Sequence, residues 1–328
     1  MQGGKTEVKC TCFTNFYNNF FIILIYKFMQ WEGRRQSSNV EDRRGISGGG
    51  KAALGGSGLI VIALVIYSMF SGKDTSFLQN LVQDFGGGSS APTEQRDLTA
   101  AEINQQAFIK TVLADTEDVW GQVFQQSGKR YKEPSLVIFA GQTQSACGGA
   151  DAAVGPFYCP ADMTVYFDMD FFRELQTTFG AKMRNKVDGE QGDFAVAYVI
   201  AHEIGHHVQN LLGTSSQETQ LAQRARSKAE ANRYSVALEL QADFYAGIFT
   251  YYDDKINNML QPGDIEGAVS AAQAVGDDAI QKRMQGYVVP ESFTHGTSEQ
   301  RVYWFKKGYQ DGNMSVGTYD IILKSVTK

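Results

Sequence analysis

Residues 193–212 read DFAVAYVIAHEIGHHVQNLL, and the spacing of His202, Glu203 and His206 within that run decides how the rest of the chain is interpreted. Asp193 is a favourable N-cap, apolar residues come next, and Gly213 is a good helix stop, so the run predicts a helix with H-E-x-x-H at its middle. Histidines four apart share one helical face, where two imidazole nitrogens can converge on a single Zn²⁺. Glu203 stands beside them. Zinc lowers the pKa of a bound water to about 7, and an adjacent carboxylate can take the proton and pass it to a leaving amine. Three of the chain's four histidines fall within six residues here, and burying them in an apolar helix is costly unless something such as a metal pairs with them. His207 points about 100° away from His206 and is given no ligand role.

A catalytic zinc takes three protein ligands and keeps a fourth position for water, so a third ligand is sought downstream. Residues 234–247 read YSVALELQADFYAG, with Glu239 and Asp243 four apart on one helical face. A solvated acidic face is the plain alternative, but Leu238, Leu240, Ala242, Phe244 and Tyr245 crowd both carboxylates. ELQAD resembles the E-x-x-A-D of gluzincins, the H-E-x-x-H peptidases whose third ligand is a glutamate. That resemblance implies Glu239 as the third zinc ligand and Asp243 as acceptor for the free ring N–H of a zinc histidine, taken as His202. His295 lies in SFTHGTSEQR (292–301), in the loop before a helix SEQRVYWFKKGY capped by Thr297 or Ser298. In gluzincins a downstream histidine often stabilises the oxyanion; the resemblance offers His295 or Arg301 for that role, and a turn or cap role for His295 stays open beside it.

At 328 residues the chain can hold one large domain or two smaller ones. A net charge of −6 and a pI near 5.3, with no dense basic patch, argue against a nucleic-acid partner. No internal repeat is apparent. Between Lys51 and Lys73 lie 21 uncharged residues; as a helix they would span about 31 Å, so residues 52–72 read as one transmembrane helix rather than a buried core helix. Arg34, Arg35, Arg43, Arg44 and Lys51 precede it, and only Lys73 comes after it before Arg96. The positive-inside rule then predicts a single-pass membrane protein, its N-terminus cytoplasmic and its larger part extracytoplasmic. Cys147 and Cys159 fall in that exported part, in the Gly- and Pro-rich stretch SACGGADAAVGPFYCP. A disulfide between them would be worth roughly 3 kcal/mol, and Cys147 as a zinc ligand is the competing reading.

Along the chain, residues 1–28 differ in composition from the remaining sequence and read as an extension before a true start at Met29. Residues 29–51 read as a basic cytoplasmic tail, 73–98 as a linker with the flexible GGGSSAP at 86–92, and 99–328 as the metallopeptidase domain. Thr99 and Glu102 form a capping box for a helix running to about Gln126. Strands are predicted at 135–140 (SLVIFA) and 163–168 (MTVYFD), then a helix over 171–179. Strands and then helices indicate an α+β fold, mainly helical with a small β-sheet, preceded by the membrane helix. One edge strand of that sheet would hold an extended peptide by β-augmentation.

WEGRRQSSNVEDRRG, the membrane helix, CGGADAAVGPFYCPADMTVYFDMDFF, AHEIGHHVQ, ELQADFYAG and FTHGTSEQRVYWFKKGYQDG, in that order over residues 30–317, together resemble the neutral zinc metallopeptidases of bacterial inner membranes. The resemblance implies a zinc-dependent, gluzincin-like peptidase acting on peptide or protein substrates, with His202, Glu203, His206 and Glu239 in the roles above. Two rivals stand beside it. A deformylase-like hydrolase would take Cys147 as its third ligand. A membrane-tethered binding protein would keep zinc for structure, though Glu203 would then have no work, because a structural site has no need of a general base.

Overall fold

The computed structural model describes residues 31–44, 97–151, 155–169, 171 and 194–327. The extension at 1–28, the span at 52–72, nearly all of the 73–98 linker and of the 171–179 helix, and Asp193 lie outside the described residues. Among the described residues, no helix is long and apolar enough to cross a membrane.

Strand β2 (Ser135–Phe139) and strand β6 (Thr164–Asp168) carry nearly continuous buried runs, SLVIF and TVYFD, as central strands covered on both faces do. They pair in parallel, Val137 opposite Tyr166. Strand β1 (Val40–Asp42) extends the sheet in parallel beyond β2, and strand β5 (Phe157–Cys159) closes the other side antiparallel to β6, for the order β1-β2-β6-β5. Leu136, Ile138, Val165 and Phe167 join the main helical core, whereas Val137, Phe139 and Tyr166 pack on the opposite face with Phe157 and Cys159. Strands β3 (Gln142–Ser145) and β4 (Gly148–Asp151) form a separate hairpin. Cys147, in its turn, is disulfide-bonded to Cys159 of β5.

Helix α1 (Ala100–Gln126) starts at the Thr99–Glu102 capping box and buries Phe108, Val112, Leu113, Trp120 and Phe124. The H-E-x-x-H run forms helix α2 (Phe194–Leu212); α3 (Thr214–Gln223) and the 30-residue helix α4 (Lys228–Asn257) come next. Helices α5 (Asp264–Ala274), α6 (Asp277–Gln285), α7 (Ser298–Asp311) and α8 (Tyr319–Val326) complete the described set, α7 opening at a Thr297–Gln300 capping box. Small residues set the two crossings that matter. A Cβ on Gly205, inside the H-E-I-G-H run, would stand 2.9 Å from Ala242 Cα, so α2 and α4 approach backbone to backbone. Gly247 of α4 and Gly308 of α7 do the same: a Cβ on either would stand 2.1 Å from a carbonyl oxygen of the other helix. Only glycine fits such approaches.

One expectation is corrected. Residues 31–44, read as part of a separate basic tail because of their arginines, belong to the domain. Trp31 is buried edge-on against Phe108, with ring centroids 5.6 Å apart. Arg34 pairs with Asp115 at 2.5 Å and Asp253 at 3.4 Å, and Ser37 and Asn39 both donate to Glu117. Arg34 and Arg35 thus have acidic partners on α1 and α4, far along the chain.

Candidate metal centre and active-site cleft

Because Gly205 lets α2 sit directly on α4, the histidine face of one helix meets the Glu239–Asp243 face of the other. His202 Nε2 lies 3.2 Å from Glu239 Oε2, and His206 Nε2 lies 3.4 Å from Glu239 Oε1. One ligand atom from each of His202, His206 and Glu239 falls within 4.8 Å of the others.

The outer contacts decide what these atoms can hold. His202 Nδ1 donates to Asp243 Oδ1 at 2.8 Å, and His206 Nδ1 donates to Gln209 Oε1 at 2.9 Å. With both Nδ1 atoms carrying hydrogen, neutral rings leave two bare Nε2 lone pairs facing a carboxylate. That arrangement is repulsive unless a proton or a metal cation lies between; burial lowers the His206 pKa, but Glu239 beside it raises it to about 9. Tetrahedral ligation at about 2.0–2.2 Å separates ligand atoms by about 3.3–3.6 Å, and the two contacts above, made to different oxygens of Glu239, are near that range. The donor set and its geometry therefore fit zinc. Burial alone would raise the Glu239 carboxyl, but the positive charge that His206 and His202 carry when protonated outweighs it and holds Glu239 well below the usual range.

Asp243 is fully buried and saturated with donors. Tyr198 Oη donates to Oδ1 at 2.6 Å, and Arg301 donates to Oδ2 from Nε at 2.8 Å and to Oδ1 from Nη2 at 3.0 Å. Burial pushes Asp243 up, yet Arg301 and His202 together bring it down to about 2, so it is an anion at every working pH. Arg301 is buried and committed to this carboxylate, while His295 is half exposed. Between the two oxyanion candidates, the free donor is therefore His295. Asp277, the first residue of α6, holds it: Oδ2 accepts the backbone N–H groups of Thr294, His295 and Gly296, and Oδ1 takes His295 Nδ1 at 3.2 Å. Burial lowers the His295 pKa, but Asp277 and Glu239 outweigh it and raise the pKa, which favours the imidazolium whose Nε2–H is left for the cleft.

Glu203 has little exposure and touches neither Glu239 nor Asp243 by a hydrogen bond among the described contacts. Burial raises its carboxyl above the ordinary range, opposed by His202 and His206, which suits a group that must accept and return a proton. Glu203, the three candidate ligands, His295 and Arg301 all line one cleft of about 570 Å³. Its wall includes Pro156, Phe157 and Tyr158, so β5 is the edge strand beside the centre.

His207, given no ligand role from the sequence, faces away from the centre. Its Nε2 donates to Lys132 O at 2.6 Å and its Nδ1 accepts from Tyr158 Oη at 2.9 Å, while Asn210 also donates to Tyr158 Oη. Burial lowers its pKa to about 4, which keeps the ring neutral. His207 and Asn210 thereby tie β5 to the H-E-x-x-H helix. Cys147, offered as an alternative zinc ligand, has its sulfur bonded to Cys159, Cα atoms 5.8 Å apart. No thiolate is left there for a metal, and the deformylase-like reading falls. Tyr198, Gln209, Asp277 and the partnership of Arg301 with Asp243 were not read from the sequence. Tyr198 and Gln209 carried a signal, lying four residues before His202 and three after His206.

Known proteins are similar to this chain in sequence. A family model described as "Putative neutral zinc metallopeptidase" matches residues 29–318. The chain is 44% identical over 294 residues to the uncharacterized protein YpfJ of Escherichia coli K12, covering 87% of this chain and 96% of the relative. It is 41% identical over 227 residues to the uncharacterized protein Rv2575 of Mycobacterium tuberculosis, covering 66% of this chain and 72% of the relative. No solved structure matches.

Proposed function

The chain belongs to the neutral zinc metallopeptidase family, and from that premise we propose that it hydrolyses peptide bonds in a zinc-dependent reaction with Glu203 as general base. The observation that carries the reading is the convergence of His202, His206 and Glu239 beside Glu203 in an open cleft. A structural zinc would close its fourth position with protein, whereas this set offers three ligands and a carboxylate facing space. Bound there, zinc would polarise the scissile carbonyl and acidify water at neutral pH.

The chain's own residues supply the rest. Glu203 accepts a proton from water and returns it to the leaving amine. His295, held through Nδ1 by Asp277, presents Nε2 toward charge developing on the scissile oxygen. Asp243 and Gln209 orient the two histidines by their Nδ1 hydrogen bonds. Strand β5, the outer strand of the sheet among the described residues, offers that edge to an extended peptide and is held against α2 through Tyr158 and His207. The apolar stretch at 52–72 supports attachment to a membrane, and the Cys147–Cys159 bond supports an oxidising compartment.

The test is metal content against activity. The purified chain should carry one zinc and cleave an unfolded protein; His202→Ala, His206→Ala and Glu239→Ala should each lose both zinc and cleavage. Full zinc retention by Glu239→Ala would contradict the ligand set.

A further inference from the structure

A strand and its partner cannot hydrogen-bond across a bilayer. β1 lies at residues 40–42 and its partner β2 at 135–139, with Val40, Glu41 and Asp42 opposite Leu136, Val137 and Ile138. The apolar stretch at 52–72 stands between them in the chain. A single crossing there would put β1 and β2 in different compartments. We infer that residues 31–44 and the domain of residues 97–327 occupy the same side of the membrane, so that whatever the intervening residues do, both their ends lie on one side.

Three independent features support the docking, beyond the strand pairing. The Arg34 guanidinium sits between Asp115 of α1 and Asp253 of α4, whose side chains are 5% and 0% exposed. Two buried carboxylates facing each other are costly without a cation, and Arg34 reaches both. Burial and the neighbouring Asp253 push Asp115 above the usual carboxylate range even with Arg34 present. Second, Trp31 fills a site on Phe108 at 5% exposure, which would be a cavity without it. Third, Glu117, itself buried, accepts from Arg35, Ser37 and Asn39 together and would otherwise be a buried charge with three lost donors. The match of the family model also begins at residue 29, ahead of this segment.

The experiment uses the full chain in bacterial membranes, with Cys10 and Cys12 changed to Ser. Exposed reporters are placed by Gln36→Cys on the segment and Lys306→Cys on α7. Intact spheroplasts are treated with a membrane-impermeant maleimide, and each peptide is read by mass spectrometry before and after lysis. A second variant, Arg35→Cys with Asp118→Cys, replaces a half-exposed 2.9 Å contact and is treated with a permeant bis-maleimide. The inference predicts that positions 36 and 306 label under the same condition, both in intact cells or both only after lysis, and that the 35–118 pair cross-links within one chain in intact membranes. Labelling of 36 and 306 under opposite conditions overturns it, as does absence of the cross-link in intact membranes.

Discussion

Replacing Asp243 with Asn removes one charge from the most densely bonded side chain of the site while keeping its shape. Asp243 accepts from Tyr198, His202 and Arg301, and both oxygens are used. In either orientation the Asn amide turns an NH₂ toward a donor it cannot accept from. Arg301, only 4% exposed, is left as a buried charge without its counter-ion. Removing one partner of a buried pair costs about 3–5 kcal/mol, which lowers the melting temperature by on the order of 10 °C. Separately, His202 loses the anion that orients its ring, worth about 10–100-fold in zinc affinity. Thermal melting and competition against a chelating dye measure the two effects apart. The double variant Asp243→Asn with Arg301→Met then separates their causes. It should recover most of the stability, because the orphan charge is gone, and recover none of the zinc affinity. Unchanged zinc affinity in Asp243→Asn, or undiminished instability in the double variant, would refute the reasoning.

His295→Ala should lower kcat/KM by about 10²–10³ with zinc retained, the loss of one oxyanion donor; unaltered kinetics would remove His295 from the reaction. Changing both Cys147 and Cys159 to Ser should cost about 3 kcal/mol of stability and leave zinc content unaltered, since neither sulfur is a ligand; loss of zinc would revive the thiolate reading. His207, held neutral with a pKa near 4, makes stability depend on acid. Above about pH 6.5 neither folded nor unfolded chain protonates this ring. As pH falls from about 6.5 to about 4 only the unfolded chain does, which removes up to about 3 kcal/mol. Melting curves of His207→Gln should therefore decline less over that interval than wild type, and equal declines would exclude His207 as the source.

The parts of this site legible in the sequence were those encoded by spacing along one helix. His202 with His206, and Glu239 with Asp243, are each four apart, so a periodicity of 3.6 places each pair on one face without knowledge of the fold. Strands β2 and β6 and the cap at Thr99 were legible for the same local reason. The join between the two helices was not, because Gly205 against Ala242 and Gly247 against Gly308 are contacts between distant segments. Arg301 therefore read as a group for substrate, although its partner 58 residues earlier is Asp243. Residues 31–44 were misread by composition: their arginines resemble a solvated tail until Asp115, Glu117 and Asp253 are brought beside them. His207 was set apart correctly by its angle on the helix, but its bond to Tyr158 depends on where β5 lies.

The role of Glu203 beside a zinc centre is tested most directly by comparing cleavage of an unfolded protein by the zinc-loaded chain and by its Glu203→Gln variant, with metal content measured on the same samples. One zinc per chain is expected in both, with cleavage by the wild type and a rate at least about 10²-fold lower in the variant, the scale of general-base catalysis. Equal cleavage by the two proteins, or one zinc per chain with no cleavage by either, would contradict a Glu203-driven zinc peptidase.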